Sequence, residues 1–241
     1  MNSKSRPDGP TFKTLEGIEH TVVIEPHERE LYAGHNVAVV PESGKGLPYS
    51  RQFALDLAQR DGLQWYWVLD DDIKHFSRRE GTKLVRCDAA EALGETKALA
   101  EQTEGVAQVA LEYAQFAWSA KKAWKLDSYA DVAVANNAAL LKSMGVRYDT
   151  SFPLKGDRDF TIQCIAAGAR VARTTKYAFV CPKNGSNLGG LQDTYATTDV
   201  EKVSSEMLAR KWGWCVTTQT KPDGRQDAKI HWKKIVSPPS L

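Results

Sequence analysis

The chain has 241 residues, 42% of them hydrophobic and 26% charged, with a formal net charge of +2. That composition suits a folded domain with one sizeable core and excludes a disordered chain, and no apolar run reaches the roughly eighteen residues that a membrane span needs. The polar start, Met1 to Pro7, lacks the apolar stretch of a secretory leader, so a cytoplasmic protein is expected. Cys87, Cys164, Cys181 and Cys215 are far apart with no CxxC spacing, which predicts free thiols. Charge is uneven along the chain: residues 141–241 hold 16 Lys and Arg against 9 Asp and Glu, and the first 140 residues are net acidic. A basic second half would suit an anionic acceptor, or simply be a solvated surface.

In chain order, residues 1–16 read as an irregular entry. Thr21 to Pro26 and Asn36 to Pro41 read as short buried strands, each ended by its proline. A Gly- and Pro-rich loop, 42–48, feeds an amphipathic helix from about Tyr49 to Arg60, with Phe53, Leu55, Leu57 and Ala58 expected on its buried side. Gln64 to Leu69 has no polar alternation and reads as a central strand covered on both faces. The Ala-, Glu- and Leu-rich stretch from Asp88 to about Ala120 predicts one or two long helices, broken at Gly94 or Gly105. Asp131 to Ala135 reads as a strand and 138–144 as a short helix. Asp159 to Ala167 reads as a helix stopped by Gly168, with a strand from Ala169. After a loop-rich stretch comes a helix near Val200 to Trp212 and a last strand near Lys229 to Ile235, before a frayed tail at 237–241. The order of strands and helices points to an α/β, doubly wound, mostly parallel sheet in a single domain, 1–241.

The strongest chemical signal is Asp70-Asp71-Asp72 at the end of the apolar strand. In open α/β sheets ligands bind beyond the carboxyl ends of strands, and neighbouring carboxylates there repel unless a cation neutralises them. Asp70 and Asp72 would share one face and Asp71 the other. Hard oxygen ligands suit Mg²⁺ or Mn²⁺ bridging a diphosphate. Lower in rank, Arg51 would meet a nucleotide's phosphate or ribose. Asn136-Asn137 would hydrogen-bond substrate, and Asn187 lies in a Gly- and amide-rich loop suited to closing over it.

Trp65 to Ile73 resembles the strand and DxD motif of GT-A glycosyltransferases, and Gly46 to Leu55 followed by Trp65 to Phe76 resembles, more specifically, the TET-associated glycosyltransferases. That largely phage-encoded family is implicated in sugar transfer to hydroxymethylated pyrimidines in DNA, such as 5-hydroxymethylcytosine. The resemblance runs from about Thr14 to Trp232. It implies a GT-A (Rossmann-like) mixed sheet flanked by helices, a UDP-sugar as the substrate that supplies the sugar, and a divalent metal on Asp70 and Asp72. Lys155 to Phe160 resembles the segment in which an acidic pair opens a helix, which implies Asp157 as general base with Asp159 second. His231 matches the C-terminal histidine that completes the metal site in many GT-A enzymes, with His75 as a weaker rival. Trp212 or Trp214 would offer stacking surfaces for a flipped base. GT-A domains open with a strand touching the nucleobase, and Met1 to Pro10 has no apolar run for it, so this strand is expected to be minimal or truncated. Rival readings are a GT-A enzyme acting on a saccharide, lipid or protein, a nucleotidyltransferase sharing the sheet and metal site, and a degenerate binding module.

Overall fold

The computed structural model describes residues 1–182, 199–222 and 224–236. In chain order its elements are α1 (Pro10–Thr14), β1 (Val22–Ile24), a 3-10 turn at Pro26–Glu28, β2 (Val37–Val39), α2 (Leu47–Arg60), β3 (Trp65–Leu69), β4 (His75–Glu80), β5 (Lys83–Cys87), α3 (Ala89–Glu101), β6 (Val106–Tyr113), α4 (Ala114–Ala117), β7 (Trp124–Leu126), β8 (Ala133–Asn137), α5 (Ala138–Met144), α6 (Gly156–Ala166), β9 (Arg170–Val180), α7 (Val200–Lys211), β10 (Val216–Thr220), β11 (Gln226–Ile230) and α8 (Trp232–Val236). Among the described residues no helix is long and apolar enough to cross a membrane.

The main sheet runs β3-β8-β6-β9-β4-β5, with β7 also paired to β9. It is the mixed α/β sheet expected. Within it β6–β9 is parallel and the other pairings are antiparallel. β1 and β2 pair in parallel as a separate two-stranded sheet. The gap between them and β3 is filled by residues 1–3: Asn2 bridges both Val23 and Asp70 in the parallel sense. Residues 2 and 3 supply this pairing through the backbone alone, Asn2 N–H to Leu69 O and Ser3 N–H to Val23 O, which asks nothing of side-chain hydrophobicity.

Two apolar layers cover the main sheet. One joins Leu55, Leu141, Phe160, Ile165 and Leu208 to Ala107, Ala110 and Val171, and includes the stacked pair Tyr148 and Phe160, ring centroids 3.9 Å apart. The other joins Leu69, Ile73, Phe76, Leu93, Leu111 and Phe179. Burying these side chains is the principal drive to fold.

Several expectations need correction. The Ala-rich stretch is helical only to Glu101. Gly105, at φ +73°, then turns the chain into β6, which is buried along almost its whole length because it lies mid-sheet. β3 is less central than expected: beyond β8 on one edge it meets only residue 2 on the other, and Trp65, Tyr66 and Trp67 stay half-buried. On α2, the polar Arg51 and Gln52 are buried with Leu55 and Ala58, whereas Phe53 and Leu57 are half-buried. The last strand stops at Ile230, and Trp232 opens a helix. The hairpins β4–β5 and β10–β11 had no counterpart in the sequence reading.

Candidate functional site

Asp70, Asp71 and Asp72 follow β3 at the sheet end where β8 begins, β6 and β9 finish and β4 starts. α1 pins them from beneath. The buried Thr11 hydroxyl donates to Asp70 O and accepts the Ile73 N–H, both at 2.8 Å, and Thr11 N–H donates to Asp71 O. This close approach needs Gly9, where an added Cβ would sit 2.4 Å from Asp71 O.

Backbone alternation separates the first two carboxylates. Asp71 turns inward and accepts from the Ser3 hydroxyl (2.7 Å) and the Arg6 guanidinium (2.9 Å). Asp70 turns to Arg51, whose Nη2 donates to Oδ1 at 3.0 Å. Asp72, a quarter exposed, lies 3.8 Å from Arg6. Burial first, and then the charges of Asp72 and Asp71, push the Asp70 carboxyl up to about 6 against the pull of Arg51.

Asp157 reaches the same place from another direction. α6 begins at Lys155–Gly156 and packs its first turn on the first turn of α2. An added Cβ on Gly156 would meet Pro48 Cγ at 2.6 Å. Asp157 thereby sits 4.0 Å from Arg51 Nη1, with Oδ1 accepting its neighbour's Arg158 N–H. Arg51 is buried and spans both carboxylates. Burial works against its charge, but Asp70, Tyr148 and Asp157 outweigh it and raise its pKa. Its Nε has no acceptor among the described residues.

The structure does not bring the remaining predicted residues to this cluster. Asp159, two residues along the helix from Asp157, is fully buried and held by Gln163, Lys211 and the Trp212 indole N–H (2.7 Å), so it anchors α6 to α7. Trp212 is thereby committed to that anchor, and Trp214 packs with it against the core. Asn137 caps α5, accepting Leu140 N–H at 3.0 Å, and it pairs opposite Trp65, at the end of β3 remote from Asp70. The antiparallel course of β8 is the reason: its carboxyl end faces away from the cleft. Asn136, beside it, is fully buried and accepts from Gln108. His231, between β11 and α8, contacts Thr217 and donates its N–H to Cys215 O. Among the described residues, the one group of three His, Cys, Asp or Glu whose ligand atoms lie within 4.8 Å of one another is Glu25, His27 and Glu28, so His231 does not complete a set with Asp70 and Asp72. His75 pairs with Val180, and burial with the nearby Arg86 and Lys74 lowers its pKa. Asn187 lies outside the described residues.

Sequence reasoning missed Gly9, Thr11 and Arg6 as supports, and it passed over Asp131, which precedes β8 and borders the same end of the sheet. Its signal was an aspartate opening an apolar strand, informative only once that strand is known to run antiparallel to β3.

The fold has solved counterparts. Staphylococcus aureus TarS 1-349 superposes with a TM-score of 0.51 at 12% identity, over 86% of this chain and 64% of that one, and was also solved in complex with UDP-GlcNAc. The chain thus spans somewhat under two thirds of that TarS fragment. A mycobacterial protein gives 0.55 at 12% identity, over 95% and 81% of the two chains. Glucosyl-3-phosphoglycerate synthase from Mycobacterium tuberculosis, solved with Mn²⁺, UDP and phosphoglyceric acid, gives 0.51 at 12% identity, over 95% and 84%. These likenesses establish the GT-A fold. No curated protein matches the sequence. The family model for TET-associated glycosyltransferases matches residues 2–190, well over half of the chain, and the protein belongs to that family.

Proposed function

We propose that this chain, acting as one domain, transfers a sugar from a nucleotide-sugar, in the first instance a UDP-sugar, to a hydroxymethylated pyrimidine in DNA in the cytoplasm. The observation that carries the proposal is Arg51, one buried guanidinium spanning Asp70 from the β3 end and Asp157 from the α6 start. Such a bridge holds two carboxylates from different elements on one guanidinium, so that groups acting on a leaving group and on an attacking hydroxyl can serve one cleft.

The donor set suits a divalent cation. Asp70 and Asp72 are hard oxygen ligands, and Asp70, its proton affinity raised chiefly by burial and then by Asp72 and Asp71 against Arg51, is a carboxylate whose charge a cation would offset. Asp70 and Asp72 would hold Mn²⁺ or Mg²⁺, whose chemistry is to offset charge on the departing diphosphate. Asp157, at the first turn of an eleven-residue helix, accepts the proton of the acceptor hydroxyl as its oxygen attacks the anomeric carbon. The nucleotide-sugar arm draws support from the UDP and UDP-GlcNAc complexes of TarS, and the metal arm from the Mn²⁺ and UDP of the mycobacterial synthase. The DNA arm draws on the family alone.

The deciding experiment incubates the protein with Mn²⁺, a panel of UDP-sugars and DNA containing 5-hydroxymethylcytosine or 5-hydroxymethyluracil, then weighs the released nucleosides. A hexose mass added to the modified base is expected. UDP release with no change in any nucleoside would overturn the DNA acceptor.

A further inference from the structure

Asp131 holds a position for which sugar-nucleotide chemistry by the residues above has no use. It stands immediately before Val132, whose carbonyl accepts the Asp70 N–H at 2.9 Å. Val132 has φ +61°, and Ala133 N–H reaches back to Asp131 O at 2.6 Å, a tight turn that a β-branched residue adopts only under strain. Among the described residues four non-glycines have positive φ, and two of them flank cleft carboxylates: Val132 beside Asp131, and Lys155 two residues before Asp157.

The Asp131 side chain is clamped from below. Oδ1 accepts from Arg173 Nη2 at 2.6 Å and Oδ2 from the Tyr113 hydroxyl at 3.1 Å. Arg173 is 1% exposed and is itself fixed by Glu112 (2.9 Å), by Tyr129 O (3.1 Å) and by the Tyr129 ring, 4.2 Å beneath its guanidinium. A buried ion network of this kind is a poor source of stability compared with apolar packing. What it does is hold one carboxylate, 19% exposed, in a fixed orientation with a lone pair free on each oxygen.

The surroundings say what that carboxylate faces. Val132 O takes the Asp70 N–H, and Arg51 ties Asp70 to Asp157, so Asp131 stands at the same end of the sheet as both carboxylates. Burial chiefly, and Asp157 after the opposing Arg173, raise its pKa. On the transferase reading above, the sugar being transferred would lie between a diphosphate at Asp70 and Asp72 and a proton acceptor at Asp157.

We infer that Asp131 is a sugar-contacting residue that accepts hydrogen bonds from hydroxyls of a neutral hexosyl unit and disfavours a uronate, whose carboxylate would meet Asp131 and Asp157 at close range. The inference rests on the nucleotide-sugar reading above and adds the class of sugar.

Calorimetry in Mn²⁺ with UDP, UDP-glucose, UDP-N-acetylglucosamine and UDP-glucuronate tests it on the wild type, Asp131→Asn and Asp131→Glu. For Asp131→Asn, the neutral UDP-sugar that the wild type binds should weaken by about 10- to 100-fold relative to UDP, the loss expected for a charge-assisted hydrogen bond. UDP-glucuronate should gain ground against that sugar. Asp131→Glu keeps the charge and should keep the discrimination against glucuronate. An equal loss for UDP and UDP-sugar would reduce Asp131 to a structural part, and no change in either would remove it from the sugar site. A wild type that binds UDP-sugars with unchanged preferences in the variants sinks this inference alone; a wild type that binds no UDP compound sinks the transferase reading with it.

Discussion

Two buried arginines organise this molecule, and they are built to opposite specifications. Arg173, in the middle of β9, has a partner at every nitrogen: Nε donates to Tyr129 O, Nη1 to Glu112 and Nη2 to Asp131. Arg51, on the first turns of α2, makes one short bond to Asp70, one long contact of 4.0 Å to Asp157, and leaves Nε without an acceptor among the described residues. The first is part of the sheet, with every nitrogen engaged by the protein. The second is a buried cation with unspent capacity between two carboxylates. The comparison teaches that burial of charge alone does not mark a binding site. What sets Arg51 apart is a buried charge, between two carboxylates from different elements, whose partners among the described residues are incomplete.

The largest expected effects are on turnover. Asp157→Asn should lower kcat by roughly 10²- to 10⁴-fold, the usual worth of a positioned general base, while UDP binding persists. Asp72→Ala, or chelation of metal with EDTA in the wild type, should abolish turnover without lowering the melting temperature of the metal-free protein. Undiminished metal-dependent turnover in Asp72→Ala would remove the site assignment. If the two arginines differ as described, Arg173→Met should cost about 3–5 kcal/mol of stability by leaving Glu112 and Asp131 buried without their cation. Arg51→Met should cost distinctly less stability and far more activity. Equal destabilisation of the two variants in urea titrations would break the comparison.

A third expectation concerns pH. The folded-state pKa of Asp70 is raised to about 6 from an ordinary 3.8, chiefly by burial. A carboxyl raised on folding binds its proton more tightly in the folded state, so its ionisation costs stability as pH rises through 3.8 to 6, and the whole cost is present above 6. Asp70→Asn mimics the protonated form and should therefore be more stable than the metal-free wild type at pH 7. That advantage should shrink as pH falls from 6 towards 4. Urea midpoints for both proteins across that range check it, and saturating Mn²⁺ should erase the wild type's deficit if the cation binds Asp70.

How much of this was legible beforehand follows from which interactions are local. The apolar run Trp65 to Leu69, the acidic triplet after it and Asp157 opening α6 lie within single elements, so their pattern is visible in the chain. β6 was not, because Val106 to Tyr113 carries Ala, Gln and Glu beside an Ala-rich helix. Its strand character comes from being sandwiched between β8 and β9. Arg6, Gly9 and Thr11 support the triplet from about sixty residues away, and Asp131 joins it only because β8 runs antiparallel to β3. His231 and Asn137 were chosen for residue type at the end of an expected strand. Direction decided against Asn137, and the end of β11 at Ile230 moved His231 into a turn.

Asn137 carries the smallest prediction and the cleanest check on strand direction. Its side chain accepts the Leu140 N–H as the N-cap of α5, and its backbone sits opposite Trp65. β3 rises about 3.4 Å per residue, so the five positions from Trp65 to Asp70 put the cap roughly 17 Å from the acidic triplet. Asn137→Ala should then lower stability by about 1 kcal/mol, the ordinary cost of losing a cap, and leave the KM for the UDP-sugar unchanged. Had β8 run parallel to β3, the same amide would stand at the mouth of the cleft, and its loss would appear in KM before it appeared in stability. A rise in KM with an unaltered melting temperature would therefore contradict the antiparallel β3–β8 pairing, and with it the route by which Asp131 reaches the site.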